Sequence, residues 1–81
     1  MLKQIRYFQS VVQLGSFTEA AQAHYISQSA ISQQIRALEE ELGVTLLERK
    51  KRSFTLTPAG EYFYRKSLVL VADYDRMLRG L

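Results

Sequence analysis

Leu2, Ile5, Phe8, Val11 and Val12 recur at the three- and four-residue spacing that lines one face of a helix, and Gly15 follows as a stop. A second helix opens beyond it. Ser16 and Glu19 have the spacing of a capping box, with Thr18 as the alternative cap two residues on, and Ala20 and Ala21 are small enough to let another helix come close. A short link near Tyr25 to Ser27 leads into a third helix. Ser27 caps its start, Gly43 suits its left-handed end, and Ile31, Ile35, Leu38 and Leu42 fall in one apolar line. At ~100° per residue, Ser29, Ser32, Gln33 and Arg36 project to the opposite side, with Gln28 near its edge.

The period then changes. Phe54 and Leu56 alternate with Ser53, Thr55 and Thr57, as in a strand, and a segment from Leu46 or Leu47 to Arg49 can pair with it as a hairpin. With no Gly or Asn at the tip, a longer type I loop is expected instead of a two-residue turn. Thr57-Pro58 starts a final helix, since threonine caps and proline at the first helical position loses no needed hydrogen bond. Run to the terminus, that helix reaches about 35 Å, more than so small a body requires. Two apolar seams run along it. Phe63, Leu70, Tyr74, Met77 and Leu81 form one, interrupted at Ser67, while Tyr64, Leu68, Val71 and Leu78 form the other. Two faces need two partners: the first helix and, most simply, the same helix of a second copy. The expected dimer contacts are Phe63, Leu70, Tyr74, Met77 and Leu81.

The expected fold is therefore mainly α. A winged helix-turn-helix with a three-helix core and a short β-hairpin wing occupies 1–57, with the helix-turn-helix at 18–37 and the wing at 44–57. A long C-terminal linker or dimerisation helix occupies 58–81. In such a fold the first helix of the motif crosses the DNA backbone and the second enters the major groove.

Composition narrows the choice. Eighty-one residues, 47% of them hydrophobic, support one small domain and argue against disorder. The absence of cysteine excludes disulfides and thiolate metal sites and makes the cytoplasm the natural location. The longest apolar run, Leu68 to Ala72, is far shorter than the roughly 20 residues that cross a bilayer. A net charge of +3 says little by itself. Its distribution says more, because Arg49-Lys50-Lys51-Arg52 gathers positive charge on the expected hairpin tip, where phosphate contact is expected. Glu39, Glu40 and Glu41 would be repelled by phosphate, so only the first two turns of the third helix suit DNA.

Phe17-Thr18-Glu19-Ala20-Ala21, Ser27-Gln28-Ser29-Ala30-Ile31-Ser32, Ile35-Arg36-Ala37-Leu38-Glu39, Leu46-Leu47-Glu48-Arg49 and Leu56-Thr57-Pro58-Ala59-Gly60 together resemble the N-terminal domain of LysR-type transcriptional regulators. The resemblance covers nearly the whole chain. It implies sequence-specific binding of double-stranded DNA, as a homodimer joined through the C-terminal helix, on an inverted-repeat operator. It also implies a small-molecule effector, bound only by a domain that this chain lacks, and no cofactor. Gln28, Ser29, Ser32 and Gln33 occupy the family's DNA-facing positions, although many relatives carry arginine or lysine at the position of Gln33. Arg49 and Arg52 resemble wing arginines, the former to grip phosphate and the latter to enter the minor groove.

Plainer roles stand beside these. Arg36 is as well suited to pairing with Glu40, worth only ~0.3 kcal/mol, as to holding phosphate. Lys50 and Lys51 also fit a solvated tip that discourages edge pairing. Ser16, Thr18 and Ser27 could meet phosphate or simply cap their helices. His24, where relatives commonly have leucine, fits a hydrogen-bonded histidine near the core better than a metal ligand, and Tyr7, Tyr62 and Tyr64 fit packing. One histidine, no cysteine and no glycine-rich phosphate loop leave no catalytic constellation, so an enzyme is rejected. The alternative function is a winged-helix protein-interaction module that uses its apolar final helix and retains residual DNA binding.

Overall fold

The computed structural model describes Met1–Leu81 as α1 (Leu2–Leu14), α2 (Phe17–Ala23), α3 (Gln28–Leu42), β1 (Leu47–Arg49), β2 (Phe54–Leu56) and α4 (Pro58–Arg79). Each boundary has a local cause. Ser16, Ser27 and Thr57 are the N-caps of α2, α3 and α4, their hydroxyls accepting from the N–H groups of Glu19, Ala30 and Gly60. The choice between Ser16 and Thr18 as cap of α2 is thus settled for Ser16. Gly15 and Gly43 end α1 and α3 in the left-handed conformation, at φ of 66° and 73°.

Phe8 and Val11 of α1, Ala20 and Ala21 of α2, Ile31, Ile35 and Leu38 of α3, and Leu46 and Leu47 at the start of the wing form one buried cluster. The alanines leave no side-chain bulk between α2 and its neighbours, so both α1 and α3 pack on it. The wing is an antiparallel hairpin with Leu47 opposite Leu56 and Arg49 opposite Phe54. Its connection is Lys50 to Ser53, closed by the Lys50 N–H donating to the Ser53 carbonyl at 2.7 Å, and no residue in it has positive φ. This agrees with a tip lacking the Gly or Asn that a primed two-residue turn demands.

The α4 helix is rooted against the wing. Thr57 donates its hydroxyl to the Thr45 carbonyl at 2.6 Å, its N–H binds the Leu46 carbonyl at 3.0 Å, and Gly60 is buried directly over the Leu46 carbonyl. Farther along, α4 lies on α1. Here the expected seams need correction. Ser67, expected to interrupt an apolar line, is buried at the contact, where it accepts from Gln9 Nε2 at 3.0 Å and donates to the Tyr64 carbonyl at 2.7 Å. Phe63, expected at the outer seam, is drawn inward and half-buried, its ring edge-to-face with Phe8 at 5.7 Å. Val71 is buried and Tyr64 half-buried as the second seam requires, but Leu68 and Leu78 remain exposed. The last tie to the body is Arg6 to Asp75, at 2.7 Å. Outside this contact Val69, Leu70, Tyr74, Met77, Leu78 and Leu81 stay exposed, an apolar surface larger than isolated surface residues would leave. No helix is long and apolar enough to cross a membrane.

Candidate nucleic-acid interface

A cleft of about 320 Å³ opens where the start of α2, the first turns of α3 and the wing converge. Ser16 and Thr18, Gln28 and Ser32, and Arg49 with Lys50, Lys51 and Arg52 line it together. Sequence separations of more than 30 residues are closed here by the packing of α2 on α3 and of the wing beside them.

The first turns of α3 present uncharged polar groups. Gln28, Ser29 and Gln33 are exposed and Ser32 is half-buried, while Ile31 and Ile35 behind them are fully buried and fix the helix's rotation. Thr18, relieved of capping, donates its hydroxyl to Gln28 Oε1 at 3.2 Å, a bond that ties the two helices of the motif. Ser27 accepts from the Ala30 N–H as cap and lies 3.2 Å from the Ser29 hydroxyl. Arg36 is exposed and forms no ion pair with Glu40; the two ion pairs of the protein are Arg6–Asp75 and Arg76–Asp73.

Arg49, expected to grip phosphate, lines the cleft half-buried. Its guanidinium stacks 4.6 Å from the centre of the Phe17 ring, Nη1 donates to Ser32 Oγ at 3.2 Å, and Nη2 is buried without a partner. Phe17 in turn packs edge-to-face on Phe54 of β2 at 5.5 Å. Burial, and then repulsion from Arg36, lower the Arg49 pKa, with Glu39 opposing. Lys50, Lys51 and Arg52 remain exposed, so the free positive charge of the wing lies at its tip.

Two contributors were not foreseen. Glu39, expected only to repel phosphate, accepts the Leu46 and Leu47 N–H groups at 2.7 and 3.2 Å and so fastens the wing to α3. Tyr25, in the turn between α2 and α3, is 95% exposed at φ 58°, a conformation that costs a residue with a side chain. No periodicity marks either one. His24 lies near the core as expected, its Nε2 2.7 Å from Ser10 Oγ and its ring edge-to-face with the buried Tyr7.

A capped α2, a tight turn, an exposed polar start to α3 and a basic-tipped hairpin define a winged helix-turn-helix. Residues 2–61 match the family model of bacterial regulatory helix-turn-helix proteins, lysR family, and the chain belongs to that family. It is 46% identical over 77 residues to the HTH-type transcriptional regulator BenM of Acinetobacter baylyi, covering 95% of this chain and 25% of that regulator. It is also 46% identical over 74 residues to the Hca operon transcriptional activator HcaR of Escherichia coli, covering 91% of this chain and 25% of that activator. The chain thus spans about a quarter of the length of these relatives. Among solved structures, a BenM DNA-binding domain in complex with catB site 1 DNA superposes with a TM-score of 0.92 at 44% identity, covering 98% of this chain and 88% of that one. A CbnR DNA-binding domain–DNA complex gives 0.91 at 36% identity, covering 95% and 88%.

Proposed function

We propose that this chain is the sequence-reading DNA-binding domain of a transcriptional regulator, working in the cytoplasm as a homodimer on an inverted-repeat operator, and that it is not a catalyst. The observation that carries this function is the cleft that Gln28 and Ser32 share with the basic tip Lys50-Lys51-Arg52, with Ser29 and Gln33 exposed on the same first turns of α3. Uncharged donors and acceptors suit base edges, while exposed cations suit phosphate. The DNA complexes of the BenM and CbnR domains, nearly superposable on this chain, support the same use.

In this scheme α3 enters the major groove, Ser29 and Gln33 with Gln28 and Ser32 facing bases, and Ser16, Thr18 and Ser27 lie toward the backbone. Arg36 and the wing tip hold phosphate, with Arg52 placed for the minor groove. Arg49 acts by holding the wing against α2 and α3. The exposed apolar surface of α4, including Leu70, Tyr74, Met77 and Leu81, joins two copies, with Phe63 contributing only from its half-buried edge. A small-molecule effector would act through a part of the protein outside these residues.

Selection of bound sites from a random duplex pool, at low and physiological salt, tests the proposal. A two-fold symmetric enriched site is expected. Replacing Lys50, Lys51 and Arg52 with alanine should weaken all duplexes alike and reduce the slope of log K against log salt by up to about 0.9 per lost phosphate contact. Gln33→Ala should instead cost about 1–3 kcal/mol on the selected site with little loss on random duplex. Absence of binding at both salts overturns the proposal and leaves the exposed α4 surface as the mark of an interaction module.

A further inference from the structure

Apart from tyrosine, Gln9 and Ser67 are the only polar residues buried in the fold, and they bond to each other across the contact of α1 with α4. The Ser67 hydroxyl donates its one proton to the Tyr64 carbonyl at 2.7 Å, so its oxygen accepts from Gln9 Nε2 at 3.0 Å. Around this bond the contact is apolar. Phe8 meets the Phe63 and Tyr64 rings edge-to-face at 5.7 and 6.3 Å, and Val71 is buried one turn beyond Ser67. Rings and methyl groups attract with little directionality and let one helix shift slightly on the other at small cost. A hydrogen bond does not, because its donor–acceptor distance holds within about 0.3 Å of its optimum. An apolar pair would fill the same space without burying polar groups, so what the bond adds is direction more than stability.

We propose that Gln9 and Ser67 are positioning residues that aim α4 and through it select the spacing between the two operator half-sites. This rests on the DNA-binding homodimer proposed above and adds the residues that fix its span. The α4 helix is held at its start by Thr57 and Gly60, and about ten residues, or about 15 Å, farther on by Ser67. Two fixed points give a rod its direction. Play of about 0.3 Å at the second point lets that direction vary by only about 1°, and the far end of the 22-residue helix by about 0.7 Å. The exposed face of Leu70, Tyr74, Met77 and Leu81 lies wholly beyond Ser67 and inherits the direction. In an isologous pair, two-fold symmetry repeats any displacement of one copy in the other. Without the bond, slack of about 1 Å at Ser67 carries the far end through about 2 Å and the two copies together through about 4 Å, more than the ~3.4 Å rise of one base pair. The bond therefore separates one spacing from the next, although neither residue lines the cleft. The Arg6–Asp75 pair on the same contact is more than a third exposed and weakens with salt, so it steadies the direction less.

The test replaces the bond by an apolar pair, Gln9→Leu with Ser67→Ala, which leaves no buried side-chain group without a partner. The midpoint of thermal unfolding should stay level or rise. Binding is then measured on duplexes that carry the two selected half-sites at the selected spacing and at one base pair more or fewer. The wild type should favour the selected spacing about tenfold over either neighbour, and the double variant less than about threefold, with affinity for a single half-site unchanged. The same property is read without DNA from spin labels at Gln22→Cys and Arg79→Cys, both exposed in a chain without cysteine, diluted into unlabelled protein so that only distances within one chain are seen. That distance should be narrowly distributed in the wild type and clearly broader in the double variant. Equal widths in both, or an unchanged spacing preference where the distances broaden, overturns the proposal. A lower unfolding midpoint with both readings unchanged assigns the pair to stability alone and overturns it too. If the double variant does not fold, Gln9→Met, which leaves Ser67 its bond to the Tyr64 carbonyl, carries the same predictions. A wild type indifferent to spacing overturns the spacing role while sequence reading stands. A pool that yields no two-fold site overturns the DNA-reading dimer and the spacing role with it, and the label distances then report separately whether the pair aims α4.

Discussion

A methyl group at position 60 would stand 2.0 Å from the Leu46 carbonyl oxygen and 3.1 Å from the Leu56 side chain. Backbone cannot step aside as a flexible side chain does. Gly60→Ala should therefore destabilise the fold by about 1–3 kcal/mol despite alanine's better helix propensity, lowering the midpoint of thermal unfolding by at least ~4 °C. Tyr25 is the opposite case. Its ring is exposed to solvent while its backbone holds φ 58°, so Tyr25→Gly removes strain and little packing. Up to about 1 kcal/mol of added stability is expected in denaturant unfolding, and a fall in stability would mean that the exposed ring makes an intramolecular contact worth more than the strain.

At the scale of elements, the wing depends on α3 as much as on its own short ladder. The Glu39 carboxylate accepts two successive N–H groups, of Leu46 and Leu47, just where β1 begins. Glu39→Ala leaves both donors without this partner and should cost about 1.5–3 kcal/mol, with hydrogen exchange at Leu46 and Leu47 accelerated ahead of the α3 amides. Unchanged exchange at those two amides would show the wing to be held by its apolar residues alone. The elements themselves were legible in the sequence because their causes are local: Ser16, Ser27 and Thr57 sit next to the N–H groups they cap, and an apolar line such as Ile31, Ile35 and Leu38 carries its period within one segment. What was not legible depends on residues brought together only by the fold. Gln9 and Ser67 look polar and therefore external, yet each satisfies the other inside the α1–α4 contact. Arg49 was legible as a wing cation, but the Phe17 ring beneath it was not. Gly60 stood in a stretch that carries the family resemblance, but the reason it must be glycine could not be read, because the obstacle lies on another element. The positions on the cleft followed from helix phase, but the hydrogen bonds that Thr18 and Arg49 make among them did not.

For the whole molecule, the decisive shape is a body from which one helix leads away, with overall extents of 44 × 28 × 20 Å. The far half of α4 is fastened by the Arg6–Asp75 pair, whose hydrogen bond lowers the Asp75 pKa and raises that of Arg6. Because the carboxylate pKa is depressed in the folded state, its contribution is complete above the ordinary aspartate range and disappears as the pH falls through the lowered value. Acidification below that range, or Asp75→Asn at neutral pH, should therefore speed amide exchange in the last turns of α4 before the core unfolds, and added salt should act in the same direction. A uniform rise in exchange across α1 and α3 would mean that the pair supports the whole body.

The shared root of α4 and the wing has a mechanical consequence. The Thr57 hydroxyl and N–H bind the Thr45 and Leu46 carbonyls, and Gly60 closes on the Leu46 carbonyl with no side chain between them, so the helix and the hairpin meet in a stiff elbow and not at a swivel. A helix of 22 residues is a lever of about 33 Å, and turning it by roughly 5° about that elbow carries its tip through ~3 Å. The same turn, applied at the tip, arrives at Leu46 as torque on the base of the hairpin.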